Sequence, residues 1–107
     1  METEYPQCVM TILETHSDYV WVRGVSGLYT FDAKVYRAGS SYGVRNGRVS
    51  KLAIWLRADG RGRPCWVVNY DRGWDIRPQK EHRQLVESVI RLLETLPQPE
   101  DMEGNLC

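Results

Sequence analysis

The sequence predicts an α+β domain: an antiparallel sheet of about five strands with one C-terminal amphipathic helix packed on one face. Three observations carry this. Tyr29, Phe31, Ala33 and Val35 alternate with Thr30, Asp32, Lys34 and Tyr36, and Leu52, Ile54 and Leu56 alternate with Ala53, Trp55 and Arg57, which is the period of a half-buried strand. From Leu85 to Leu96 the apolar residues recur at spacings of three and four, the period of a helix with one apolar stripe.

Taken in order, Val9–Leu13 is a short β-branched run and the first strand, ended by the turn formers His16, Ser17 and Asp18. Tyr19–Arg23 is the second strand, and residues 24–27, with a glycine at each end, form a turn into the third, Tyr29–Tyr36. Residues 37–48 hold three glycines and an Asn-Gly step, so they form a loop. The fourth strand centres on Leu52–Leu56, residues 59–62 turn the chain, and Cys65–Tyr70 is the fifth. Pro78 suits the first turn of the helix and Pro97 stops it. The opposite helix face, Arg83, Glu87, Arg91 and Glu94, is expected to meet solvent, with Glu87 and Arg91 one turn apart. The domain is expected to span residues 1–97, followed by a flexible acidic tail over 98–107.

At 107 residues, 42% of them apolar and 26% charged, the chain suffices for one core and not for two. No run approaches the roughly 20 apolar residues of a membrane span, and the start is acidic where a secretory signal would be basic, so a cytoplasmic location and no membrane partner are expected. Cys8, Cys65 and Cys107 show no metal-binding spacing and are expected to be free thiols, the first two packed as small hydrophobes.

The net charge is zero but unevenly spread: residues 37–83 carry nine Arg and two Lys against Asp59, Asp71, Asp75 and Glu81, while both flanks are acidic. Arg, with its planar donor fork, suits phosphate or carboxylate. Strand directions place the loop 37–48 and the segment 71–77 at one end of the sheet, and the helix is expected to begin there, adding its free N–H groups. The candidate partner-binding residues are Arg37, Tyr42, Arg45, Arg48, Asp71, Arg72, Trp74, Asp75 and Arg77. Asp75 is equally suited to capping the helix.

No phosphate loop, nucleophile motif or metal-ligand spacing is present, so no catalytic residue, metal or cofactor is assigned. Asp32, Asp71 and Asp75 are the acids from which a small metal-dependent nuclease would have to be built.

The stretch Phe31–Tyr36, the pair Tyr42-Gly43, the run Gly47–Leu52 and above all Asn69-Tyr70-Asp71-Arg72-Gly73-Trp74-Asp75 resemble a family of small phage and Gram-positive bacterial proteins grouped as a domain of unknown function. The likeness covers Gly27 to Leu96. It implies a setting of phages and mobile elements, whose accessory proteins often disable host machinery. The expectation that follows is a non-catalytic protein that binds a host protein or nucleoprotein complex and inhibits a nucleic-acid-handling defence, in the manner of an anti-CRISPR protein. The alternative partner is RNA or DNA itself, bound by an Arg-rich module.

Overall fold

The computed structural model describes residues 9–56, 65–101 and 105–106. It contains strands β1 (Val9–Thr15), β2 (Tyr19–Ser26), β3 (Tyr29–Tyr36), β4 (Val49–Leu56), β5 (Cys65–Asp71) and β6 (Trp74–Ile76), then helix α1 (Arg83–Glu94) and a two-residue β7 (Asn105–Leu106). All pair antiparallel in one sheet ordered β6-β5-β4-β3-β2-β1-β7. The α+β class and the two expected hairpins are observed, with two more strands than the pattern indicated. The expected turn at residues 59–62, and Cys8 and Cys107, lie outside the described residues.

Alternation sets the core. Val20, Val22, Phe31, Ala33, Val35, Leu52, Ile54, Val68 and Tyr70 are buried on one sheet face, against Val86, Val89, Ile90, Leu93 and Leu96. Each such Val, Leu, Ile or Phe side chain contributes about 1.5–3 kcal/mol when fully buried. Cys65 is exposed rather than packed, because it opens β5 at the sheet's margin.

Gly24 does not turn the chain. It continues β2 opposite Phe31, and a Cβ there would fall 2.2 Å from Phe31 Cζ and 2.8 Å from Met10 Cγ, so the bare backbone makes room for the largest core side chain. The turn is Gly27-Leu28, with Gly27 at φ +60°.

Helix α1 runs opposite to the expected direction. His82, just before it, packs edge-on against Tyr29 at 6.0 Å, at the start of β3, whereas Glu94, its last residue, bonds the backbone of Arg48 and Val49 where β4 begins. The cause is β6: its three residues carry the chain back from the top of β5 before residues 77–82 lead into the helix. The end that gathers the loop 37–48 therefore meets the helix C-terminus, and Asp75 lies in β6, too early to cap α1. Pro78 likewise precedes a 3-10 turn at Lys80–His82 rather than opening α1.

Residues 98–101 and 105–106 stay with the fold after Pro97. Pro99 is fully buried, Gln98 Nε2 donates to the Arg37 carbonyl at 3.3 Å, and β7 pairs with Met10 and Thr11. No helix among the described residues is long and apolar enough to cross a membrane.

Candidate functional site

With α1 on one face, the outward residues of the same alternation form a second face that nothing among the described residues covers. The strand register arranges them in rows. Nearest the loop 37–48, Tyr19 faces Tyr36; next, Trp21, Lys34, Lys51 and Asp71 line up across β2 to β5. Below them come Arg23, Asp32, Ala53 and Asn69, and then Val25, Thr30, Trp55 and Trp66.

Cations and rings interleave on this face. Lys34 Nζ lies 4.2 Å from the centroid of Tyr19, 5.2 Å from Tyr36 and 5.9 Å from Trp21, and Lys51 Nζ is also 5.9 Å from Trp21. The Arg23 guanidinium lies 5.9 Å from the Trp55 ring, itself 5.3 Å from Trp66. His16 stacks on Tyr19 at 4.6 Å and sits 3.5 Å from Glu14, which accounts for it without a catalytic role. Such contacts hold flat rings and positive charge at the surface in fixed relation.

Above the second row the face deepens into a cleft of about 650 Å³ between the end of β3, the loop after it and the β5–β6 turn. Lys34, Arg37, Lys51 and Arg72 line it together with Tyr36, Tyr42, Ser40, Ser50 and Asp18. Ser50 is the extra residue of a bulge, since Lys34 pairs with Lys51 and Val35 with Val49. It is 4% exposed, and its hydroxyl has no hydrogen-bond partner. Arg72 holds φ +59°, in the left-handed region, while its N–H donates to the Ser50 carbonyl at 2.9 Å.

The residues singled out in the sequence divide accordingly. Arg37, Tyr42 and Arg72 line the cleft, and Asp71 stands at its edge, 3.7 Å from both Lys51 Nζ and Arg72 Nε. Arg48 is not a surface cation. Its guanidinium donates to the carbonyls of Tyr36, Glu94, Leu96 and Pro97, closing the end of α1, while the Glu94 carboxylate accepts the N–H groups of Arg48 and Val49. Trp74 packs edge-on against Tyr70 at 5.0 Å, next to the core rather than on the open face. Asp75 and Arg77 are exposed along the route from β6 to α1, away from the cleft.

Arg45 grips Glu87 of the helix through two bonds of 2.9 and 2.7 Å, so Glu87 pairs with the loop rather than simply facing solvent beside Arg91. The pair raises the pKa of Arg45 and holds the Glu87 carboxyl below its ordinary 4.5. A depressed carboxylate pKa means stability that is present above the ordinary value and lost as pH falls through the lower folded one. Both groups are half exposed, so the loss is expected to be small, about 0.5 kcal/mol or less. Acid titrations of wild type and Glu87→Gln, followed by circular dichroism, should show wild type more stable by no more than that near neutral pH, with the two converging as pH falls below the ordinary carboxylate range.

Asp32 receives two bonds from Arg23, at 2.7 and 2.8 Å, which raise the pKa of the guanidinium and occupy the carboxylate. Among the described residues no three His, Cys, Asp or Glu side chains gather as metal ligands would. A nuclease built on Asp32, Asp71 and Asp75 has no assembled site to rest on.

Lys34, Lys51, Ser50, Trp21 and Trp55 escaped selection on the sequence, although the signal was there. One helix covers one face, so the outward half of every alternation had to remain open.

The family described as Domain of unknown function (DUF7678) matches residues 20–94, from β2 through α1. No curated protein and no solved structure matches the chain.

Proposed function

The chain belongs to the DUF7678 family, and we propose that it is a non-catalytic binding module whose helix-free sheet face receives single-stranded nucleic acid. The observation that carries this reading is the interleaving of Tyr19, Trp21, Tyr36, Trp55 and Trp66 with Lys34, Lys51 and Arg23 on one surface that no other described residue covers. Unpaired bases stack on rings of this kind, and cations between the rings meet the phosphates. A duplex hides its base faces, so the surface favours single strands. Asp32 and Asp71 offset part of the charge, which leaves stacking the larger share of affinity and makes sequence preference weak.

The test is fluorescence anisotropy with labelled oligothymidylate and with a duplex of equal length, at rising salt. If three phosphates are contacted, the logarithmic salt slope is about −2, or a roughly 20-fold loss between 50 and 200 mM. Equal affinity for single strand and duplex, or no binding of either, contradicts the reading.

A second reading, inhibition of a host nucleic-acid-handling defence complex, draws on the zero net charge. A neutral chain exerts little long-range pull on free nucleic acid, so contacts from a protein that presents the strand would add to the affinity. It predicts that the purified complex binds this face more tightly than the free strand does. The setting of phages and mobile elements belongs to that reading.

A further inference from the structure

We infer that a slot at the centre of the open face selects guanine from the strand that the face carries. The inference rests on the proposed function for the strand, and on the slot itself for the base. Ala53 is the smallest residue in the rows of the open face, and it sits between Asp32 and Asn69. With Trp21, Lys51 and Asp71 from the row above, these residues line a slot of about 220 Å³. Pockets that enclose whole small ligands hold about 300–1,000 Å³, so this one takes a single flat ring system and leaves sugar and phosphate outside.

The hydrogen-bonding pattern selects the base. Asp71 Oδ1 lies 3.7 Å from both Lys51 Nζ and Arg72 Nε, beyond hydrogen-bond reach, and the side chain is 45% exposed, so its oxygens have lone pairs to offer. Asp32 is already engaged, because Arg23 donates to both of its oxygens at 2.7 and 2.8 Å. Lys51 Nζ and the two oxygens of Asp71 thus present one donor followed by two acceptors, the order in which cytosine meets guanine in a base pair. Guanine answers with O6, N1–H and N2–H. Thymine sets its one N–H between two carbonyls, and adenine and cytosine each set a bare ring nitrogen beside the amino group, so none of them offers a carboxylate two adjacent donors. Lys51 Nζ also lies 5.9 Å from the Trp21 ring centroid, so a base stacked against that ring brings its pairing edge to the ammonium and the carboxylate together.

The experiment titrates, by fluorescence anisotropy, an oligothymidylate and three strands of the same length in which one central thymine is replaced by guanine, adenine or cytosine. The guanine strand is expected to bind about tenfold more tightly than the others, toward the lower end for one bidentate base contact because the slot is open to water. Asp71→Asn keeps the shape of the side chain and loses one acceptor, and should bring the ratio between the guanine strand and oligothymidylate to about one. Ala53→Ile fills the slot and should also abolish the preference, with a thermal midpoint no lower than wild type because a β-branched residue suits a strand. Trp55→Ala, which does not line the slot, should weaken every strand alike and keep the preference. Equal affinity for the four strands, or a preference that survives Asp71→Asn, overturns the slot and leaves the function of the face standing. Binding of no strand overturns the nucleic-acid reading. The slot then stands if guanosine monophosphate, and not the adenosine, cytidine or uridine monophosphate, shifts the amide resonances of Lys51, Ala53 and Asp71, and it falls if all four or none do so.

Discussion

Replacing Arg48 by alanine should destabilise the fold by about 3 kcal/mol, the largest effect expected of any surface-loop substitution, because four carbonyl acceptors lose a charged donor together. Three of those carbonyls, from Glu94, Leu96 and Pro97, lie at the last residue of α1 or just beyond it, where no further helical turn follows to bond them. The fourth, from Tyr36, ties β3 to the same point. In return the Glu94 carboxylate holds the N–H groups that begin β4, and a Cβ on Gly47 would fall 2.2 Å from its Oε2, so nothing larger than glycine allows that approach. For a domain of this size the loss corresponds to a midpoint about 15 °C lower in a thermal melt. Arg48→Lys should recover only part of it, since one ammonium cannot reproduce a planar fork spread over four acceptors. Binding measured well below the new midpoint should be unchanged, because Arg48 does not line the cleft.

Trp21→Ala is expected to lower affinity for oligothymidylate by about 2 kcal/mol, roughly 30-fold, the usual contribution of one stacked base. Trp21 sits in the row of Lys34 and Lys51 and has both ammonium groups 5.9 Å from its ring. Its removal deletes a stacking platform and frees two cations from a fixed position. The same substitution at Trp55 removes the second platform, at the other corner of the face. The two sites share no direct contact, so the losses should add in the double variant. Anisotropy titrations on variants whose melts match wild type within a few degrees measure this.

Much of the fold was legible because alternation and helical period are written directly in the residues. Phe31, Ala33 and Val35 went inward as their spacing required, and Val86, Val89, Ile90 and Leu93 formed the predicted stripe. Three things were not legible. Gly24 looked like a turn residue, and only its contact with Phe31 explains why a strand runs through it. Trp74–Ile76 is too short to announce itself as a strand, yet it reverses the chain and so decides which end of the helix meets the loop 37–48. Arg48 and Glu94 carry no local signal, because their bonds join positions 46 residues apart.

The candidate site followed the same division. Arg37, Tyr42 and Arg72 were found from strand directions alone, since the loop and the β5–β6 turn do share an end of the sheet. Arg45 and Arg48 were taken up by Glu87 and the helix end, which charge counting cannot foresee. The rest of the surface lay in the outward positions of strands read for their inward ones.

The chain has four Trp, so one spectrum holds four indole N–H signals, one for each. Trp21, Trp55 and Trp66 belong to the open face, whereas Trp74 packs against Tyr70 beside the core. In a two-dimensional NMR titration with oligothymidylate, the indole signals of Trp21, Trp55 and Trp66 are predicted to shift and that of Trp74 to stay in place. A shift of Trp74 alone, or four unmoved signals at saturating oligonucleotide, would contradict binding on the helix-free face.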